Sequence, residues 1–232
     1  FRPLAPLAPG KRSSRGTIRN KGRPFNGSRL MTEKETTAGN REKLPVIVGV
    51  TGASGIVYAQ KLVQHLLRSE RRVLLAMSSA ARLVIKQELT IDAGEDPWGD
   101  VNRDLLELVA EKDFNAPFCS GTFRFQGMVV VPASMGTVGA IASGVSINVI
   151  HRGADVCLKE RRKLVLVPRE TPFSTIHLEN LLKLSQAGAV ILPPSPAFYQ
   201  HPKTLEDSVD FIVSRILDAL ELDNQLIDRW GE

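Results

Sequence analysis

The chain has 232 residues, 43% of them hydrophobic and 24% charged, enough for one sizeable core and without the run of about 18 apolar residues that a membrane helix requires. Its formal charge of +5 is unevenly spread: residues 1–30 carry eight of the 30 basic residues and no Asp or Glu, so the remainder holds 22 basic against 25 acidic residues. The basic balance therefore belongs to the N-terminal stretch and does not argue for a nucleic-acid surface on the folded part.

Residues 1–43 are read as a leader. Its first 30 positions are rich in Pro, Gly, Ser and Arg and lack apolar periodicity, so disorder is expected. Upstream or vector-derived sequence ahead of a start at Met31 is the preferred account of that stretch, and an organellar transit peptide is the alternative. A single domain is expected over residues 44–232. Pro45 to Val50 predicts the first strand, and Leu62, Val63, Leu66 and Leu67 give the apolar stripe of a helix. Val73 to Met77 predicts a second strand, followed by a helix over about 80–87. Asp104 to Lys112 reads as a helix and residues 115–121 as a loop. Met128 to Pro132 is the next strand, with a small-residue helix over 136–144. Leu164 to Val167 predicts a strand, 177–187 a helix, 189–192 the last strand, and 205–222 a long closing helix. Aliphatic runs alternating with helical stripes predict a three-layer α/β/α sandwich with a doubly wound, mainly parallel, Rossmann-like sheet.

In such sheets ligands bind beyond the carboxyl ends of the strands, which selects five loops. The first, Gly49-Val50-Thr51-Gly52-Ala53-Ser54-Gly55, leads directly into a helix. Its amides, with Ser54 as N-cap, suit an anion. The G-x-x-G-x-x-G spacing is not that of dinucleotide binders, and no Walker lysine is present. A tight strand-to-helix turn needs glycines in any case, so the motif is suggestive only. Ser78-Ser79-Ala80-Ala81-Arg82 lacks the acidic ribose clamp of a nicotinamide site, and Ser78 alone reads as a helix cap. Ser134 and Thr137, in Pro132-Ala133-Ser134-Met135-Gly136-Thr137, offer hydroxyls at another helix start. Arg169 and Glu170 stand at a strand's carboxyl end. The fifth loop, Pro193 to Tyr199, holds a phenol in a proline-stiffened turn. Cys119 and Cys157 make no disulfide framework and the four histidines lack ligand spacing, so no metal is expected and a reducing, cytoplasmic setting fits. Both thiols read as inert, Cys157 as a core residue near the end of a strand.

GVTGASG, MSSAAR, PASMGT, ADVCLKERRKLVLVPRETP and PPSPAFY, in this order, resemble the signature segments of the UbiX-like flavin prenyltransferases over about residues 46–230. The resemblance implies a Rossmann-like FMN-binding fold assembled as a homo-dodecamer. It further implies transfer of the dimethylallyl group of dimethylallyl phosphate to N5 and C6 of reduced FMN. The product, prenylated FMN, would serve a partner UbiD-like decarboxylase, with ubiquinone biosynthesis among the pathways implied. By that resemblance Gly52, Ala53, Ser54, Ser78, Ser134, Met135, Gly136, Thr137 and Arg169 hold FMN. Lys159, Glu170, Tyr199, Arg215 and Arg152 meet the allyl phosphate, some from a neighbouring subunit. Ser54 and Glu88 join Glu170, Lys159 and Tyr199 as catalytic candidates. Phe114 stands where some members carry Trp. Lys159 precedes its strand, so only the resemblance places it at the phosphate, whereas Arg161, Arg162 and Lys163 read as solvated or interfacial. Two alternatives are a flavin-dependent cysteine decarboxylase, which would need an early catalytic histidine where this chain has His65 in mid-helix, and a flavin-binding accessory subunit without chemistry.

Overall fold

A computed structural model of the chain describes residues 43–89, 96–99 and 101–231. Apart from Lys43, the expected leader lies outside the described residues. In chain order the elements are β1 (Val46–Val50), α1 (Ile56–Arg68), β2 (Val73–Met77), α2 (Ser79–Glu88), β3 (Leu106–Val109), β4 (Gly127–Ala133), α3 (Met135–Ala142), α4 (Val149–Lys159), β5 (Leu164–Pro168), α5 (Thr175–Gln186), β6 (Val190–Ile191) and α6 (Leu205–Ala219). Every strand pairing is parallel, and the sheet order is β3-β2-β1-β4-β5-β6. This is the expected doubly wound sandwich.

The layers follow from strand alternation. On one face Val46, Val48, Val73, Leu75, Val129 and Val165 pack with α1 and α6, whose Leu62, Leu66, Ile212 and Ile216 complete that core. On the other, Ile47, Leu74, Met128, Val130 and Leu166 pack with α3, α4 and α5 through Val138, Ile150, Val156 and Leu184. Strands buried on both faces are why β1, β2, β4 and β5 read as unbroken aliphatic runs.

Three expectations are corrected. The helix expected over Asp104 to Lys112 is the edge strand β3, entered by a 3-10 turn at Arg103–Leu105. Its leucines fit either period, and parallel pairing of Leu106 with Val73 and Leu108 with Leu75 decides. Cys157 is not near the end of a strand: it lies on α4, a helix the sequence reading passed over although Val149, Ile150, Ala154, Val156 and Cys157 form its buried stripe. Cys157 is fully buried, as expected of a core residue, and burial pushes its thiol up to about 12. Cys119 is half-buried and is likewise raised by burial.

The third correction concerns Arg162. Its guanidinium donates to the carbonyls of Gly121 and Phe123 and stands 4.6 Å from the centre of the Phe125 ring, pinning the segment that leads into β4. It is a structural staple and not a solvated charge. Replacing Arg162 with Ala leaves two carbonyls without their charged donor and should cost about 2–3 kcal/mol. Chemical denaturation is expected to show that loss as a lower midpoint at an unchanged slope.

Candidate flavin site at the sheet switch point

The strand order reverses between β1 and β4, and the loops leaving these two strands diverge to opposite faces, opening a crevice. A cleft of about 290 Å³ lies there, lined by Gly52, Ala53, Ser54, Val84, Gln87, Glu88, Ser134, Met135, Arg169 and Glu170. Thr51 ties its two sides together. Its hydroxyl donates to the Pro132 carbonyl at 2.8 Å and accepts from the Ser134 N–H at 2.7 Å. Gly52 lets the first loop lie against α2, because a Cβ there would stand 2.4 Å from the Ala80 Cβ.

The start of α1 differs from expectation. Ser54 is not its N-cap; Gly55 is, with φ of 105° and no capping side chain of its own. The anion at this helix start is internal. Glu88, at the end of α2, accepts from the Gly55 N–H at 2.9 Å and the Ile56 N–H at 2.8 Å. Burial pushes the Glu88 carboxyl upward, but hydrogen bonds from the Ser54 hydroxyl and the Ile56 and Gly55 amides, with the Arg169 guanidinium nearby, outweigh it and hold the group below its ordinary value.

The other helix start at the crevice carries no such carboxylate cap. Ser134 caps α3, accepting from the Thr137 N–H at 3.3 Å and donating to the Thr137 hydroxyl at 3.1 Å. The first amides of α3, at Met135 and Gly136, are the unpaired donors every helix start presents, and a Cβ on Gly136 would meet nothing within 4 Å. Arg169 crosses the crevice: its N–H donates to the Ala133 carbonyl at 3.3 Å and its Nε to the Ser54 carbonyl at 3.3 Å. Helix amides, two hydroxyls, a guanidinium and open space above a glycine are a donor set that fits a phosphate monoester, such as the anionic end of FMN.

Of the sequence candidates, the cleft brings together Gly52, Ala53, Ser54, Glu88, Ser134, Met135, Arg169 and Glu170. Ser78, Gly136 and Thr137 flank it. The Ser78 N–H donates to the Val50 carbonyl at 3.0 Å, and its Oγ caps α2 by accepting from the Ala81 N–H at 3.1 Å. Arg152, Lys159, Tyr199 and Arg215 are not in the cleft of this chain. Lys159 ends α4 and pairs with Glu160, on the approach to the amino end of β5, the edge of the sheet away from the crevice. Arg152 pairs with Asp155 at 3.3 Å and Arg215 with Asp218 at 2.8 Å. Tyr199 is exposed and meets Trp230 edge-on at 5.5 Å. His65 is half-buried on α1 beside Asp210, outside the cleft, and burial holds its imidazole below the usual value. The sequence reading missed Thr51, although it lies inside the glycine motif, and the lining residues Val84 and Gln87, which a helix wheel of α2 would have placed beside Glu88.

Fold and crevice together define a Rossmann-like protein built to hold a phosphorylated ligand at its switch point. The Flavoprotein family model matches residues 34–217, and the chain belongs to that family. It is 47% identical over 188 residues to the flavin prenyltransferase UbiX of Methanocaldococcus jannaschii, an alignment covering 81% of this chain and 99% of that one. Among solved structures it is similar to AnUbiX (PadA1) in complex with FMN and dimethylallyl pyrophosphate, at 43% identity and TM-score 0.76, covering 82% and 99% of the two chains. It is also similar to a dodecameric FMN-dependent UbiX-like decarboxylase from Escherichia coli O157:H7, at 41% identity and TM-score 0.74, covering 82% and 100%.

The depressed carboxyl of Glu88 has a consequence for acid stability. A group whose pKa is lower in the folded chain contributes stability above its unfolded value, near 4.5, and that contribution disappears as pH falls through the folded value. The stability difference between wild type and Glu88→Gln should therefore be largest at neutral pH and shrink in the acid range. Urea denaturation over pH 7 to about 3 checks this, and a difference independent of pH is not expected.

Proposed function

We propose that the chain is a flavin prenyltransferase that moves the dimethylallyl group of dimethylallyl phosphate onto reduced FMN, yielding prenylated FMN. The observation that carries the reading is the crevice between β1 and β4, with its anion-ready α3 start, in a chain 47% identical to a flavin prenyltransferase. Bound there, reduced FMN supplies the nucleophilic N5 and C6 that accept the five-carbon unit. The protein's own residues perform the rest. Ser134, the first amides of α3 and Arg169 hold the flavin phosphate. Gly52, Ala53 and Ser54 give the ring system a wall without bulky side chains.

Breaking the ester C–O bond leaves a phosphate dianion beside an allyl cation, so cationic groups must meet the departing oxygens. Lys159, Arg152 and Arg215 are the cations proposed for that role, and Tyr199 donates a hydrogen bond from its phenol. In one chain these four stand outside the crevice, so we assign them to the sites of neighbouring copies in a homo-oligomer. A dodecamer like that of the Escherichia coli relative is one assembly that would complete each site. Glu170, at the cleft, gives up or takes up a proton as the phosphate departs. Glu88 and Ser54 form a second hydrogen-bonded pair at the cleft that can pass a proton to or from the flavin edge. A UbiD-like decarboxylase is the proposed recipient of the product. The two cysteines are free thiols, in keeping with a cytoplasmic setting.

The cysteine-decarboxylase alternative loses ground because His65 lies on α1 beside Asp210 and not in the cleft. The test is anaerobic incubation of the full chain with reduced FMN and dimethylallyl phosphate, followed by mass spectrometry of the flavin. A flavin carrying the five-carbon unit is expected, and unmodified flavin would overturn the reading. Glu170→Ala, Lys159→Ala and Tyr199→Phe should each slow adduct formation by about a hundredfold. Wild-type rates in all three would show that the proposed site residues do not carry the chemistry.

A further inference from the structure

Helix α2 is the cleft's side wall, contributing Val84, Gln87 and Glu88 to the lining, and its N-cap is Ser78. It is held at both ends by carboxylates. At its last residue, Glu88 reaches the start of α1. At its first, the carboxylate of Glu111 accepts from the Ser79 N–H at 3.0 Å and from the Ser79 hydroxyl at 2.8 Å. Glu111 lies two residues beyond β3, and it is also bound to the start of α4: the Asn148 side chain bonds its carboxylate, and its carbonyl accepts from the Val149 N–H at 3.0 Å. The next residue, Lys112, donates to the Ile147 carbonyl at 2.7 Å. The pair Glu111-Lys112 thus fastens the end of β3, the start of α2 and the start of α4 at one point on the ligand edge of the sheet.

The charge in this corner is consistent with a permanent clamp. Burial raises the Glu111 carboxyl, but the bonds from Ser79, with Lys112 and Asn148, hold it below its ordinary value. His151, buried beside it, is depressed by burial and by Lys112, against an opposing pull from Glu111, which favours the neutral ring. Its Nδ1 makes no hydrogen bond among the described residues, so the ring is not bonded to the Glu111 carboxylate through that atom. None of these residues lines the cleft, and the sequence motifs did not single out Glu111.

We infer that Glu111 is a positioning residue for flavin binding: by clamping the start of α2 to the start of α4 it sets the cleft wall made by Val84, Gln87 and Glu88, with Ser78 flanking it. The inference rests on the reading of the crevice as the FMN site, but not on prenyl transfer. The measurement is the Kd of the full chain for oxidised FMN, followed by flavin fluorescence without any prenyl donor, together with the KM values for FMN and dimethylallyl phosphate. Glu111→Ala should weaken FMN binding about tenfold, because an α-helix start loses its acceptor and α2 is released. Glu111→Gln keeps a carbonyl acceptor for the Ser79 N–H and should stay within about twofold of wild type. The KM for FMN should rise in Glu111→Ala while that for dimethylallyl phosphate does not. Unchanged FMN affinity in Glu111→Ala overturns the inference, and so does an equal loss in Glu111→Gln or an equal rise in both KM values. Should Glu111→Ala fail to fold, Ser79→Ala, which removes one of the two bonds, carries the test. About threefold weaker FMN binding is then expected, and wild-type affinity overturns the inference. A wild-type chain that binds FMN but forms no five-carbon adduct would refute the enzymatic reading and leave this one standing.

Discussion

Two hydrogen bonds from one buried hydroxyl hold the crevice together. Thr51 sits at the point where β1 and β4 stop running side by side and send their chains to opposite faces of the sheet. Without a link there, the two loops would be free to vary in separation, and the crevice would have no fixed width. By donating to Pro132 and accepting from Ser134, the threonine sets that width from within the backbone. It also fixes the α3 start, because the amide it accepts belongs to the N-cap residue. Valine would fill the same space but leave the Ser134 amide without its acceptor, and the Pro132 carbonyl would keep only the bond from the Thr51 N–H at 3.2 Å.

That crevice faces two helix starts of like polarity, and the chain treats them differently. At α1 the partial positive charge is met internally by Glu88. At α3 it is capped only by a hydroxyl, while the Arg169 guanidinium stands on the α1 side, donating to the Ser54 carbonyl near Glu88. An incoming phosphate therefore finds unpaired helix amides at α3 and an already capped helix start at α1. The difference between the two helix starts by itself favours an anionic group at α3 over α1.

Much of this was legible in the chain, and unevenly so for physical reasons. Strands buried on both faces announce themselves as aliphatic runs, so β1, β2, β4 and β5 could be placed closely. The edge strand β3 is half solvated, and its leucines satisfy a helical period as well as a strand's. Only the neighbouring β2 resolves the choice, and that contact is not local. Helix α4 was overlooked because His151, Arg152 and Gly153 break its apolar run, although His151 and Gly153 are buried with the apolar residues. At the site, the loops at the carboxyl ends of β1, β4 and β5 were readable because topology makes them converge. The role of Glu88 at the α1 start was not, because 32 residues separate donor and acceptor and no local pattern marks the pair. Arg162 was misread for a related reason: charge at a strand's amino end is usually solvated, and the carbonyls it pins come from a segment about 40 residues earlier.

The chemistry of the two thiols bears on the chain's life beside a reduced flavin. Reduced flavins hand electrons to dissolved oxygen and release hydrogen peroxide, which attacks cysteine as its thiolate. Cys157 is sealed in the core with a thiol raised to about 12, and Cys119 is raised in the same direction. Both remain protonated at neutral pH. A protein holding such a ligand at its switch point thus offers almost no thiolate to the peroxide formed there, and the thioether of Met135, which lines the cleft, is the sulfur left within its reach.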